Sequence, residues 1–456
     1  MKYSLSIDPT EENLIKSLND DILGLNIWIN RCLNVFSKMD NSIIAIDAKW
    51  GNGKTFIAKQ MEFLINSKLN AEFGNADVEL NNIKNLNFAE IPLKSSYAIY
   101  YNAWEYDNDN NPIVSFLYFL LKILNKRFNT LNFHTVANGL IKNVIEKITD
   151  GWLKIDSNPN KNDIEKILSS VITSENIKQE IDKLLQELKS ERCNKLIIFI
   201  DELDRCRPNY ALKVMELLKH YFKRDDILVV CMCDIEQLAY SIENIYGIQN
   251  KAYQYLDKII DFRFEIPIKK IDYLSYIRYK TNNEVNSSYF FDMVVLEIIG
   301  HFNLSLRNID RYLCYLKNMF IKTNKTDGDI FPIKGLVLYL FIPYYLAVKL
   351  FDEKSYNDLI KLDFNEFIKF SYRENVRERI KQIYNYSSYD CNNEYLDSGL
   401  KTDLTQVMKI INGEKIDAKF IISKNSYYIE SYIDVIKEID LLSYFSKNME
   451  GLKQNE

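Results

Sequence analysis

The chain has 456 residues, 47% of them apolar, and a formal net charge of −5. That apolar share excludes a disordered chain, and a pI near 5.6 gives no overall electrostatic footprint for nucleic acid. The length leaves room for two or three domains at ~150 residues each.

Seven cysteines are scattered without a CxxC pair. Cys231 and Cys233 stand two apart in an apolar run, so a strand would turn both to one face as packing rather than as metal ligands. A reducing cytoplasm is the expected compartment. Met1 to Leu5 lacks the apolar core of a signal peptide. The apolar run 113–124 is too short to span a bilayer, which takes about 20 residues. Gly335 to Val348 contains Pro343 and runs into Lys349, which predicts a buried helix and no membrane span.

Ser42–Asp47 is a β-branched apolar run, followed by a glycine-containing turn and a helical pattern from Lys54 to about Leu69. An Asn-rich excursion from Asn70 to Asn87 precedes a strand over Tyr97–Ala103. From Pro112 to Arg192 the pattern is mainly helical. Lys195–Ile200 and Ile227–Cys233 are uninterrupted apolar runs, as strands buried on both faces of a parallel sheet require. Helices follow at Pro208 and at Ile235 to about Ile245, and a last strand is expected over Phe262–Ile266. Strands alternating with helices predict an α/β fold with a three-layer parallel-sheet core. Its expected extent is 1–270, with a helical insertion over about 107–192. Helices near 273–280, 291–302 and 306–321 predict a helical lid over 271–325, and 326–456 is expected to form an α-helical C-terminal domain.

The chemistry concentrates in two segments. Ala48-Lys49-Trp50-Gly51-Asn52-Gly53-Lys54-Thr55 is the Walker A pattern of a P-loop, with Ala48 in place of its first glycine. Glycines let consecutive backbone N–H groups curve around phosphates, Lys54 reaches the β/γ oxygens, and the Thr55 hydroxyl ligates Mg²⁺. The helix that starts there points its positive end at the anion. Trp50 through Phe56 are therefore the expected nucleotide contacts. The second segment is the apolar strand ending in Asp201-Glu202. There Asp201 is expected to hold magnesium through water and Glu202 to act as the base that polarises the attacking water.

Lys49 to Thr55, Asn102-Ala103-Trp104-Glu105-Tyr106 and Asp201-Glu202-Leu203-Asp204-Arg205-Cys206-Arg207-Pro208, with the later Tyr255 to Ile260, resemble the KAP family of P-loop NTPases over about residues 20 to 315. The resemblance implies an ATPase of the ASCE division, related to AAA+ and STAND proteins, with an extra strand between the two Walker strands. Many KAP proteins carry transmembrane helices between those motifs. This chain does not, and so is similar to the soluble bacterial members, several of which belong to phage-exclusion or defence loci.

The same resemblance implies further roles. Asp234, at the end of the strand after Asp201, occupies the position of a γ-phosphate sensor, and it could equally cap the next helix. Lys258 occupies the place of an arginine finger, with Arg263 nearby; Arg205 and Arg207 are either fingers or local ion-pair partners. Arg307 matches the lid's second sensor, with Arg311 one turn later as its competitor. Leu23-Gly24-Leu25 resembles the segment that packs on adenine, and Trp104 is expected to pack rather than stack on a base. Asn324-Lys325-Thr326-Asp327 fits a guanine-specificity pattern, but the DELD at 201–204 lacks the DxxG of a GTPase. The expected function is ATP hydrolysis with Mg²⁺ by a homo-oligomer or with a partner effector protein. The alternatives are a nucleotide-binding scaffold and a nucleic-acid-stimulated ATPase.

Overall fold

A computed structural model describes residues 8–72, 83–108, 193–247, 251–281, 289–321, 337–383 and 393–411. It also describes positions 80, 112, 115, 116, 119, 120, 123, 179 and 182. The expected helical insertion, half of the Asn-rich excursion, the Asn324–Asp327 segment and the chain after 411 therefore lie largely or wholly outside the described residues. Contacts divide the chain into two compact units, one of them Ile7–Ile271 and the other running from Asp272.

The first unit is built on five parallel strands: β1 (Ser42–Asp47), β2 (Ser96–Asn102), β3 (Lys195–Asp201), β4 (Ile227–Cys233) and β5 (Phe262–Glu265), in the order β2-β3-β4-β1-β5. As the resemblance implied, an extra strand, β4, separates the strands that carry the glycine loop and the paired acids. Alternation along each strand fills both faces. Ile43, Ala45, Ile198, Ile200, Val229 and Cys231 point into one apolar layer. Ile44, Ile46, Ile197, Phe199, Leu228 and Val230 point into the other. Cys231 and Cys233 are both fully buried in the first layer, so their role is packing, and burial pushes the Cys231 thiol up to about 12.

Helices α1 (Glu11–Asp20), α2 (Asn26–Phe36) and α3 (Lys54–Glu72) belong to the Ile44 side. Helices α4 (Pro208–Leu217), α5 (Ile235–Tyr246) and α6 (Ala252–Leu256) belong to the other. Local chemistry sets their ends. The Thr10 hydroxyl caps α1, Pro208 opens α4 where its missing N–H costs nothing, and Gly247 closes α5 at φ 62°.

Two polar side chains substitute for missing backbone partners. On the edge strand β2, Asn66 of α3 donates through Nδ2 to the Ala98 carbonyl and accepts from the Ala98 N–H, each at 2.9 Å. On the neighbouring strand, Lys195 opens β3 and reaches back to the end of α2. Its Nζ donates to the carbonyls of Phe36 (2.7 Å) and Met39 (2.6 Å) and pairs with Asp40 at 2.6 Å. Hydrogen bonds to a charged donor contribute about 1.5–3 kcal/mol each. Lys195→Met, which keeps the apolar stem, is therefore expected to lower stability by about 2 kcal/mol, read as a lower urea midpoint with an unchanged slope.

The second unit is helical where described: α7 (Tyr273–Thr281), α8 (Tyr289–His301), α9 (Leu306–Ile321), α10 (Ile342–Phe351), α11 (Glu353–Ile360), α12 (Asn365–Ser371), α13 (Glu374–Ile383) and α14 (Asn393–Ile411). The helices expected to form the lid and those beyond residue 326 fall within this one unit. Residues 342–348 of α10 are all buried. Tyr344 lies 4.9 Å from the rings of both Phe367 and Phe370, and Tyr312 donates to the Pro343 carbonyl at 2.9 Å. The apolar run around Pro343 is thus a core helix.

Candidate functional site

The glycine loop leaves β1 at Asp47 and enters α3 at Lys54. Gly51 and Gly53 adopt φ of 84° and 80°, values that side-chain-bearing residues rarely take, so the sequence folds this way because glycine stands at those two positions. Ala48 needs no such freedom. Its N–H donates to the Cys233 carbonyl at 3.3 Å, and its own carbonyl accepts the Lys54 ammonium at 2.7 Å. The departure from glycine at 48 leaves the loop's shape intact.

The acids meet this loop across the ends of the strands. Asp201 is fully buried; its Oδ2 accepts from the Thr55 hydroxyl at 2.5 Å and from the Tyr100 hydroxyl at 2.8 Å. Its Oδ1 accepts the Glu202 N–H at 2.8 Å. Burial pushes the Asp201 carboxyl above the ordinary range, against the pull of Thr55, Tyr100 and Lys54. Glu202 sits in the left-handed region at φ 60°, a conformation that costs about 1–3 kcal/mol outside glycine. That turn swings its carboxylate back, with Oε1 at 3.4 Å from the Thr55 hydroxyl and Oε2 paired with Arg205. Burial and the neighbouring Asp201 raise its pKa as well, opposed by Arg205. Two desolvated carboxyls beside a hydroxyl form a donor set that suits one small hard cation.

Among the described residues no group of three or more His, Cys, Asp or Glu could hold a metal ion. Thr55 and Asp201 fit Mg²⁺ in its other mode, in which one carboxylate and a hydroxyl are completed by water and phosphate oxygens.

The structure brings Trp50, Gly51, Asn52, Gly53, Lys54, Thr55, Asp201 and Glu202 to one end of the sheet. Asp234 is there too, at the end of β4, where its Oδ1 caps α5 by accepting the Gln237 N–H at 3.3 Å. Phe56 lies in the first turn of α3, half-buried. Arg205 and Arg207 both have local partners, Glu202 and Asp107 respectively. Lys258 is exposed in the turn after α6, and Arg263 pairs with Asp257 at 2.6 Å. Arg307 is exposed in the first turn of α9, and Arg311 lies over the Tyr315 ring at 5.9 Å; both belong to the second unit. Gly24, at φ 65°, ends the turn that starts α2. Trp104 departs from expectation: it is 55% exposed, because the tight turn after β2 buries Ala103 and stacks Tyr106 on Tyr101 while directing the indole outward.

Three residues of the site escape sequence reasoning. Tyr100 holds Asp201, and Asp47 accepts the Ile235 N–H at 3.0 Å, tying the end of β1 to the start of α5. Asp204, which the sequence offers only as a member of the Asp201–Pro208 segment, is buried and contacts the glycine loop itself. The one available signal was position: Tyr100 lies two residues before Asn102, on the strand that pairs with β3.

A parallel sheet with its glycine loop between β1 and α3, facing paired acids at the end of β3, defines a P-loop NTPase, a nucleotide-binding protein. The model of the KAP family P-loop domain matches residues 13–319, and the chain belongs to that family. No curated protein matches the chain. Among the described residues no helix is long and apolar enough to cross a membrane.

Proposed function

We propose that the chain binds ATP with Mg²⁺, hydrolyses it, and uses the cycle as a switch on its own assembly or on a partner effector protein. The observation that supports this reading is the meeting of Thr55, Asp201 and Glu202 within hydrogen-bonding reach. Lys54 leaves the Ala48 carbonyl for the β/γ-phosphates, and the glycine loop presents its N–H groups to them. Thr55 and Asp201 hold Mg²⁺, which when bound neutralises phosphate charge. Glu202 orients and deprotonates the attacking water. Asp234 is assigned to sensing the γ-phosphate, and Lys258 and Arg307 keep the finger and second-sensor roles that the resemblance implies. A role in anti-phage defence follows from the family resemblance.

The test is turnover and mass with and without a slowly hydrolysed ATP analogue. Mg²⁺-dependent phosphate release, abolished by EDTA and restored by added Mg²⁺, together with a mass increase in the analogue is the expected result. One observation favours a second reading, a nucleotide-binding scaffold with little turnover: Arg205 already occupies the Glu202 carboxylate. A near-zero rate that stays flat as protein concentration rises selects the scaffold. The defence role predicts fewer phage plaques on cells expressing the protein than on cells expressing Lys54→Ala.

A further inference from the structure

Asp204 has no part in metal binding or base catalysis, yet it gathers as many donors as Asp201 does. Its residue is 6% exposed and its side chain not at all. One oxygen, Oδ2, gathers three donors from two separate segments: from the glycine loop the Trp50 indole N–H at 2.6 Å and the Lys54 ammonium at 3.5 Å, and from the end of β4 the Asp234 backbone N–H at 2.9 Å. The other oxygen, Oδ1, is buried and meets no donor among the described residues. A buried carboxylate left half-satisfied is costly, which argues that it stands there for the site and not for the fold. The indole points the same way. Trp50 is 46% exposed, so its placement is fixed by this one polar bond more than by packing.

We infer that Asp204 is a positioning residue: it moors the glycine loop, through Trp50 and Lys54, to the end of β4 in the shape that receives the phosphates. An acceptor that pre-arranges the loop removes part of the ordering cost that binding would otherwise carry. Asp204 also holds Lys54 until a phosphate oxygen takes its place. This inference rests on the nucleotide reading above.

The test is a double-mutant cycle on the full chain, titrated with ATP and Mg²⁺ by calorimetry and followed by steady-state turnover. Asp204→Ala and Trp50→Phe are each expected to weaken ATP binding about tenfold, one factor of ten in Kd. The double variant is expected to be no weaker than Asp204→Ala alone, because both remove the same bond. KM should rise more than kcat falls, and Asp204→Asn, which keeps an oxygen acceptor, should recover most of the affinity. Additive losses, unchanged affinity in Trp50→Phe, or a fall in kcat at constant KM would each overturn the inference. Where Asp204→Ala does not fold, Trp50→Phe decides alone, since its exposed indole leaves the core untouched. Wild-type protein that binds no ATP removes the underlying reading instead, so the two failures are told apart.

Discussion

Glu202→Gln is expected to bind ATP as tightly as the wild type and to turn it over about 10²- to 10⁴-fold more slowly, the usual contribution of a general base. The amide keeps the shape and the hydrogen-bonding reach of the side chain but cannot accept the water's proton. The structure adds a reason to expect a clean separation of binding from chemistry. Glu202 contributes no hydrogen bond to the glycine loop beyond the long 3.4 Å approach to Thr55, while Asp201 holds that hydroxyl at 2.5 Å. The left-handed backbone at 202 is common to both side chains, so it does not confound the comparison. Wild-type turnover in Glu202→Gln would remove the residue from the base role, and lost binding would place it among the nucleotide contacts.

Lys54→Ala is expected to weaken ATP binding about 100- to 1,000-fold. Two unit charges about 4 Å apart attract by ~4 kcal/mol at an effective dielectric of 20, about three orders of magnitude in Kd. That is an upper bound, because the ammonium first gives up the Ala48 carbonyl at 2.7 Å and Asp204 at 3.5 Å. The substitution also strips a cation from a carboxylate whose side chain is wholly buried, and breaking a buried pair from one side is destabilising. Lys54→Met keeps the stem volume and serves as the companion variant. Binding measured by calorimetry beside the melting temperature separates lost affinity from lost fold: affinity should fall in both variants, stability more in Lys54→Ala.

Much of this arrangement is legible in the sequence, and for physical reasons. The three central runs, β1, β3 and β4, read as strands because each is buried on both faces, so nearly every position must be apolar, and β1 and β4 begin and end where those runs do. The glycine loop is legible because positive φ at 51 and 53 demands glycine. β5 is read one residue too long, since Ile266 continues the apolar run and Pro267 gives the only stop signal. What the sequence conceals depends on contacts between distant segments. Tyr100 reads as one more half-buried strand residue until β2 pairs with β3. Asp204 reads as one more acid of the Asp201–Pro208 segment until the loops carrying Trp50 and Asp234 converge on it. Trp104 reads as packing because hydrophobic pattern alone does not tell which way a tight turn directs a ring.

The Asn66 amide has a consequence for the order in which the sheet assembles during synthesis. Among the described residues β2 pairs only with β3, and it leaves the ribosome with that partner still unmade, since β3 starts at Lys195 and β2 ends at Asn102. At about 5–20 residues per second that interval lasts roughly 5 to 20 s. Asn66, already synthesised, offers the nascent strand both halves of a peptide group at Ala98. It lets β2 dock on α3 first and wait there with its other side open, a provisional anchor that becomes a permanent cover once β3 arrives.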